Sequence, residues 1–430
     1  MFDISISGAG DIIRLVANIV WWFLSSGGWI IFVFIGVWIL FTQYMEEIQG
    51  QFLATQEWVF LNIRIPKTNE LSTLAVEQVF GQMHAILSRP TFAQKYVEGQ
   101  VSLWYSLEMV SLGGKISFII RSPKRNKDLV EAAVYAQYPE AEITEIGDYL
   151  ENLNYTSTSE EFDLWGTELL LNADQALPIK TYREFEHVAA KDKIVDPLRP
   201  LYEAMAKVAP HELFSVQIVV LPISDNDWKP KSEAKAGELI NGAKPAAKPF
   251  NLLTFLYGIV KPAAPAAPKA EKNFTLLSDV EKERVNSVLH KAGKSGFLTK
   301  IRLIYIAPKA KFDKPKAALF MGAFKTFSSA NINGFKGNPD VTPKLDYKLS
   351  ETLEKPYIDF IVGRRKDSLF KSFKNRHPVA GAKPYVLNIE ELATIFHLPL
   401  VGEETVSTPN VDTVASKKSQ PPANLPIGEY

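Results

Sequence analysis

The sequence predicts an α+β protein carried on one N-terminal transmembrane helix. Three observations carry that reading. No charged residue occurs between Arg14 and Glu46, strand-like and helix-like segments alternate from Trp58 to Ile146, and a second such series runs from Phe162 to Phe327. A chain of 430 residues has room for two or three domains, and 46% hydrophobic with 11% aromatic content is enough to build cores. The formal net charge of zero argues against a wholesale nucleic-acid binder and leaves room for a local patch. The absence of cysteine excludes disulfides, thiolate metal sites and cysteine nucleophiles, and selects no redox compartment.

Residues 1–48 form the expected anchor. Leu15 to Leu24 and Trp29 to Phe41 are almost wholly apolar. The stretch Trp21 to Gln43 meets the roughly 20 residues that a helix needs to span a ~30 Å hydrocarbon core. Trp21, Trp22 and Tyr44 lie near its ends, where amphipathic rings favour the interface. Ser25-Ser26-Gly27-Gly28 interrupts the run, either as a small-residue patch within one helix or as a break between an interfacial helix and the span. Two passes are not expected, since each arm would have only about 13 residues. Nor is a cleaved signal peptide: Asp3 and Asp11 flank the lone Arg14, and bulky Phe41, Tyr44 and Met45 follow the core. Arg14 on one side and Glu46 and Glu47 on the other give a weak positive-inside bias. The expectation is a single-pass membrane protein with cytoplasmic soluble domains.

Residues 57–150 have the pattern of a ferredoxin-like βαββαβ domain. Trp58 to Ile65 alternates as a strand, Pro66 ends it, and Asn69 is placed to cap a helix over Leu71 to Leu87, with Leu74, Val79, Met83, Ile86 and Leu87 as its apolar stripe. Val101 to Val110 and Ile116 to Ile120 are strands joined at Gly113-Gly114, a hairpin signal. Lys127 to Tyr138 is helical, Pro139 stops it, and Glu142 to Ile146 is the last strand.

Residues 155–400 are expected to form a second α+β domain, a sandwich. Its strands are Phe162 to Leu171, Leu213 to Leu221 and Leu298 to Ile306, and its helices are Pro197 to Val208, Leu276 to His290 and Pro315 to Phe327. Lysine, alanine and proline dominate residues 241–272, which mark a linker. The apolar island Leu252 to Val260 inside it is too short to cross a membrane and suits docking or local packing. Residues 403–430 are polar, proline-bearing and expected to be extended.

Catalytic motifs are few. Ala292-Gly293-Lys294-Ser295 ends like a phosphate-binding P-loop, but Val288 stands where that motif needs its first glycine, and the order is helix then strand instead of strand then helix. Gly293 is better placed to cap the preceding helix. His84, His187, His211, His290, His377 and His397 are scattered without zinc-site spacing and are expected as surface or cap residues. Neither a nucleophile elbow nor a dinucleotide turn is present, and acidic pairs such as Glu160-Glu161 suit a solvated surface. No enzyme activity, metal or cofactor is expected.

One stretch is strongly basic. Arg364, Arg365, Lys366, Lys371, Lys374 and Arg376 surround a single acid, Asp367, with Phe370 and Phe373 interleaved. Cations neutralise phosphates and rings stack on bases, so the stretch suits nucleic acid or an anionic lipid surface. The competing reading is a helix with a solvated basic face and its phenylalanines in the core. A smaller group, Lys124, Arg125 and Lys127, sits at a helix start, where the dipole gives cations no help.

Two further stretches carry a resemblance. Ile119-Ile-Arg-Ser-Pro-Lys124 with Tyr135-Ala-Gln-Tyr-Pro-Glu-Ala-Glu-Ile143 resembles an uncharacterised bacterial domain that follows a transmembrane helix. Leu387-Asn-Ile-Glu-Glu-Leu-Ala-Thr-Ile-Phe-His-Leu-Pro399 with Ser416-Lys-Lys-Ser-Gln-Pro-Pro-Ala-Asn-Leu-Pro426 is similar to the segment before the ATPase domain in HerA/FtsK-like motors of type IV secretion and conjugation systems. The likeness runs over residues ~10–426, with these stretches its distinctive part. It implies a membrane-docked module of a DNA- or protein-translocating machine. In that family the tail leads into a P-loop motor. No Walker A motif is present here, so the motor is expected on a separate polypeptide, or this chain is a split or truncated form, and no catalytic residue carries over.

The expected function is therefore a non-catalytic membrane component that recruits or positions a motor ATPase, with residues 403–430 as the contact. The rival is a membrane-tethered module that binds nucleic acid or anionic lipid through the basic stretch. An edge strand of a ferredoxin-like sheet is also open to pairing with a second copy of the chain.

Overall fold

The computed structural model describes residues 17–18, 21–66, 72–188, 196–241, 274, 277–345 and 351–399. The expected linker from 242 onward, the apolar island Leu252 to Val260, the tail 403–430, the Asn69 cap and the first 16 residues of the anchor lie outside the described residues. The chain divides into two compact units, Met1–Gln56 with Ser88–Ser102, and Glu57–Leu87 with Leu103–Tyr430.

In the first unit a wide helical turn, Leu24–Gly28, leads into helix α1, Trp29–Ala54. Gly27 has φ +91°, a left-handed conformation that costs glycine little. The small-residue patch is thus a kink, and Ser25 Oγ donates to the Trp22 carbonyl there at 3.0 Å. No residue of α1 is buried, and the stretch Ser25–Ala54 is long and apolar enough to cross a membrane. It runs past the expected end at Gln43 into a polar segment from Glu46 onward.

The second unit is built on one antiparallel sheet. Its first elements are β1 (Trp58–Arg64) and α2 (Thr73–His84); the chain then passes through α3 (Phe92–Tyr96) of the first unit and returns as β2 (Tyr105–Leu112), β3 (Lys115–Pro123), α4 (Lys127–Gln137) and β4 (Glu142–Ile146). Next come β5 (Phe162–Leu171), α5 (Tyr182–Val188), α6 (Arg199–Ala206), β6 (Leu213–Pro222), α7 (Asp225–Asn241), α8 (Asp279–Ala292), β7 (Gly296–Pro308), α9 (Lys314–Phe324) and β8 (Phe335–Gly337). The last are α10 (Glu351–Lys374), β9 (Tyr385–Asn388) and α11 (Ile389–Ile395).

The strand order is β4-β1-β3-β2-β6-β7-β5-β8, with β9 beside β7. That order is a palindrome. If β5 to β8 are counted as strands one to four of a second set, both halves read 4-1-3-2 and meet at their second strands. The local geometry repeats as well. Trp58 faces Pro123 in one half and Phe162 faces Pro308 in the other. Each proline opens a three-residue 3-10 turn, with φ/ψ of −55°/136° at Pro123 and −54°/135° at Pro308. Each turn is closed by the same 2.9 Å backbone bond, Lys124 N–H to Glu57 O and Lys309 N–H to Glu161 O. Ser106 faces Arg121 as Leu213 faces Ile306, which makes Met109 the counterpart of Val216. Those two face each other across the β2–β6 seam, so a pseudo-twofold axis passes between them.

The seam corrects the expectation of separate domains at 57–150 and 155–400. An isolated four-stranded set would leave the N–H and C=O groups of β2 unpaired along its edge, and β6 pairs with them instead. The β2 edge is therefore not open to a second copy; β4 and β8 are the outer strands. The halves differ most plainly at the connection between their second and third strands. A two-residue turn, Gly113-Gly114, joins β2 to β3, whereas α7 and α8 stand between β6 and β7.

Strand alternation sorts the two faces. Tyr105, Leu107, Met109, Phe118, Phe214, Val216, Ile301 and Leu303 form one buried core with Phe80 of α2, Val130 of α4, Met205 of α6, Phe320 of α9 and Leu392 of α11. On the other face Leu164, Ile304 and Ile306 pack with Leu369, Phe370 and Phe373 of α10. Helix α2 begins at Thr73 after Ser72 and ends at His84, shorter at both ends than the periodicity suggested.

Gly114 has φ +84°, and a Cβ there would lie 2.8 Å from the Ala206 carbonyl oxygen. A Gly114→Val variant is expected to lose about 2–4 kcal/mol through combined strain and clash. Urea unfolding of the full chain measures it, and an unchanged midpoint would mean that the hairpin is not held against α6.

Candidate functional site

Under α10 the sheet face is polar and buried. Glu108 on β2 accepts from Ser106 Oγ at 2.6 Å, Tyr149 OH at 2.7 Å and Arg376 Nε at 3.1 Å. Arg376 forks onto Asp148 with its two terminal nitrogens at 2.5 and 2.7 Å. Glu168 on β5 accepts from Arg302 Nε at 3.1 Å and from the Ala382 N–H at 2.7 Å, with Lys300 Nζ at 3.7 Å. The remaining Arg302 nitrogens donate to Gln217 Oε1 and to the carbonyls of His377 and Ala380. Gln217 Nε2 donates to Glu108 Oε1 and to the Phe373 carbonyl, so one amide joins the two acidic centres.

This is a closed network. Burial lowers the Arg302 guanidinium, and the Glu168 charge opposes that without cancelling it. Burial also acts to lower Arg376, yet the Glu108 charge and the Asp148 hydrogen bond outweigh it and hold the group above its ordinary value. Lys300 is lowered by burial to about 8. The acids are matched by cations that also bond backbone carbonyls of residues 377–380, so the network fastens the segment after α10 to the sheet.

Four of the six cations in the basic stretch bond within the protein. Arg376 is buried in the network above. Arg365 Nη1 donates to the carbonyls of Pro339, Thr342 and Lys344. Lys366 pairs with Asp163, and Lys374 donates to the carbonyls of Glu151 and Leu153. Arg364 and Lys371 have exposed side chains, the former 5.8 Å from the Phe360 ring centre. Phe370 and Phe373 are buried in the core. The arrangement is that of a helix with its phenylalanines turned inward.

A second ionic group surrounds the start of α11. Lys294 of the P-loop-like tetrad donates to Glu77 and to Glu390, both at 2.5 Å. Tyr182 OH donates to Glu77 at 2.8 Å, and Arg183 lies 3.2 Å from Glu390. Gly293 is the C-cap of α8, as the helix-then-strand order implied. Burial raises the Glu390 carboxyl, but hydrogen bonds from Lys294 and Thr181 with the Lys294 and His290 charges outweigh it and leave the group below its ordinary value. Beneath lies the fully buried pair Lys291–Glu391 at 3.0 Å, where burial shifts each group toward its neutral form. Asn388 and Glu391 make a reciprocal capping box. The stretch Leu387 to Leu398 is thus packed into the core, and the described chain ends at Pro399.

Among the described residues no group of three or more His, Asp or Glu side chains is arranged to hold a metal ion. His397, expected near the surface, is fully buried between the Ala393 carbonyl at 2.8 Å and Asp196 at 3.0 Å. A cavity of about 650 Å³ beside α7 is lined by Asp174, Asp227 and Glu238 together with Lys231 and Lys235, a mixture of signs that selects no ligand charge. Sequence reasoning missed Glu77, Glu108, Asp148, Glu168 and Arg302, and singled out Lys294 without its acidic partners. Ser106-Leu-Glu-Met109 alternates, and alternation ordinarily marks a solvated face. The only signal was indirect: a segment such as 364–376, rich in cations and with inward phenylalanines, needs acids beneath it.

Residues 41–413 match the family described as Domain of unknown function (DUF8128). No curated protein matches the chain.

Arg376→Met strands the buried Glu108 carboxylate, so a loss of about 3–5 kcal/mol in denaturant unfolding is expected; a loss below 1 kcal/mol would mean that Glu108 finds another partner. Glu390 has its native pKa below its unfolded value of 4.5, so its contribution is full above that value and disappears as the pH falls through the native value. Thermal melts across the acid range should show this limb, and Glu390→Gln should flatten it.

Proposed function

The chain belongs to the family described as Domain of unknown function (DUF8128), and from that footing we propose that it is a non-catalytic, membrane-anchored component that positions a motor ATPase in a type IV secretion or conjugation-like translocation machine. The observation that carries the reading is the surface of α1. Phe34 is 71% exposed and Trp38 69%, with Trp29, Ile31, Phe32, Val37 and Leu40 also exposed. A folded protein leaves such a continuous apolar surface free only where something other than water covers it, and the length of the helix suits a bilayer.

The paired ionic networks support the non-catalytic part. A general acid or base must itself reach the substrate atom to which it gives, or from which it takes, a proton, whereas Glu108, Glu168, Glu390 and Glu391 are all buried and bonded to the protein itself. We read each half of the sheet as ferredoxin-like, because the 4-1-3-2 order with antiparallel neighbours is the split βαβ pattern. That fold hosts many functions, so it supports a rigid body and nothing narrower. The motor contact rests on the resemblance at Leu387 to Pro399. Cytoplasmic exposure of the body follows from a motor partner that consumes nucleotide.

Alkaline extraction of membranes should leave the full chain in the pellet, while a variant lacking residues 1–48 becomes soluble; release of the full chain would remove the anchor. Purified in detergent, the full chain should retain a P-loop ATPase identified by mass spectrometry. Deleting residues 403–430 should abolish that recovery, and unchanged recovery would sink the assignment of the contact.

A further inference from the structure

The excursion Ser88–Ser102 leaves the sheet unit between α2 and β2 and belongs to the same compact unit as α1. Its base is closed by Ser102 Oγ donating to the Ser88 carbonyl at 3.1 Å. Its tip is the five-residue helix α3. Thr91 and Gln94 cap it reciprocally, the Gln94 side chain accepting from the Thr91 N–H at 2.9 Å. The Val97 N–H donates to Ala93 O at 2.9 Å and the Gln100 N–H to Gln94 O at 2.8 Å, which fixes the return.

This tip rests on one level of α1. The Tyr96 ring lies 6.3 Å from that of Phe41, and Tyr44 OH donates to the Tyr96 carbonyl at 3.3 Å. Gly99, with φ +68°, passes so close that a Cβ would lie 2.3 Å from the Ile48 carbonyl oxygen. Phe41, Tyr44 and Ile48 bracket the point where the uncharged run of α1 gives way to Glu46 and Glu47. On the outside of the tip Phe92 is 78% exposed and Val97 67%, and the Phe92 and Tyr96 rings are 4.6 Å apart. At the tip Lys95 and Glu98 are both exposed and cancel in charge, and exposed Arg89 at the base leaves the excursion with a net charge of +1.

We propose that the Ser88–Ser102 excursion is a second membrane contact, in which Phe92, Tyr96 and Val97 insert into the headgroup–acyl boundary of the bilayer that α1 spans. The occupant follows from continuity. The exposed apolar surface of the tip extends that of α1 at the height where the helix becomes polar, and aromatic side chains with a polar end favour that depth. With opposite charges at the tip and only Arg89 in excess, the contact rests chiefly on apolar burial and not on attraction to anionic lipid. The excursion thereby fixes the rotation of α1. The inference rests on the reading of α1 as a span.

Since the chain has no cysteine, single-cysteine variants can be labelled cleanly. Trp38→Cys, Phe92→Cys, Val97→Cys and, as an aqueous control on the exposed Asp279 side chain, Asp279→Cys would carry an environment-sensitive fluorophore. The full-length protein is placed in phosphatidylcholine vesicles containing lipid nitroxides at shallow or deep positions. The expected result is quenching of Trp38→Cys by the deep nitroxide and of Phe92→Cys and Val97→Cys by the shallow one, with blue-shifted emission, against little quenching of Asp279→Cys. If Trp38→Cys is quenched but Phe92→Cys and Val97→Cys match the control, the span stands and the second contact is overturned. Shielding of Phe92→Cys from aqueous iodide without lipid quenching also overturns it, in favour of a protein partner. If Trp38→Cys itself is unquenched, the spanning reading fails and the inference with it.

Discussion

Two carboxylates buried on one face of the sheet, Glu108 on the central strand β2 and Glu168 on β5, constrain the rest of the second unit. A buried carboxylate without a partner costs several kcal/mol, so each must meet a cation and further donors. For Glu108 the cation is Arg376, which follows α10; for Glu168 it is Arg302 on β7. Both guanidiniums serve Gln217 or the backbone of 374–380 with their remaining nitrogens. The segment after α10 is thus held in place by ionic and amide bonds, and the apolar contacts of Leu369, Phe370 and Phe373 act alongside them. Arg376 takes φ +50° to reach its partners, a strained conformation for a non-glycine residue that the fork onto Asp148 and the bond to Glu108 offset.

The palindromic sheet explains why that network lies where it does. Two halves of the same strand order join at β2 and β6, so the second strands of both become central and their outward faces need a cover. Helices from both halves fill the opposite face. The cover for the polar face comes from outside the repeat, as α10 and the segment leading to β9. Gln217, next to the seam, bonds to Glu108 on one side and Arg302 on the other, and so couples the halves.

The two units differ in their chemistry. The first presents apolar side chains that water does not cover favourably; the second keeps Glu108, Glu168, Glu390 and Glu391 buried and bonded to cations. The stretch Leu387 to Leu398 is fastened into the core of that unit. Lys294 shows how the same residues serve different ends in different surroundings. In a phosphate-binding loop a lysine faces an open anion site, whereas here Glu77 and Glu390 already occupy its ammonium.

By itself the sequence determined the elements whose signal is local. The apolar run of α1, the strands from Trp58 to Ile146, the Gly113-Gly114 hairpin and the cap at Gly293 follow from hydropathy, period and backbone freedom, which act over a few residues. The rejection of a P-loop followed in the same way from element order. What tertiary structure alone decided is pairing at long range. The seam of β2 with β6 joins residues about a hundred positions apart, and Arg376 reaches Glu108 across 268. Strand alternation marks two faces but does not say whether water or another layer meets the polar one. That choice depends on burial of distant cations beside those acids, and no local pattern encodes it.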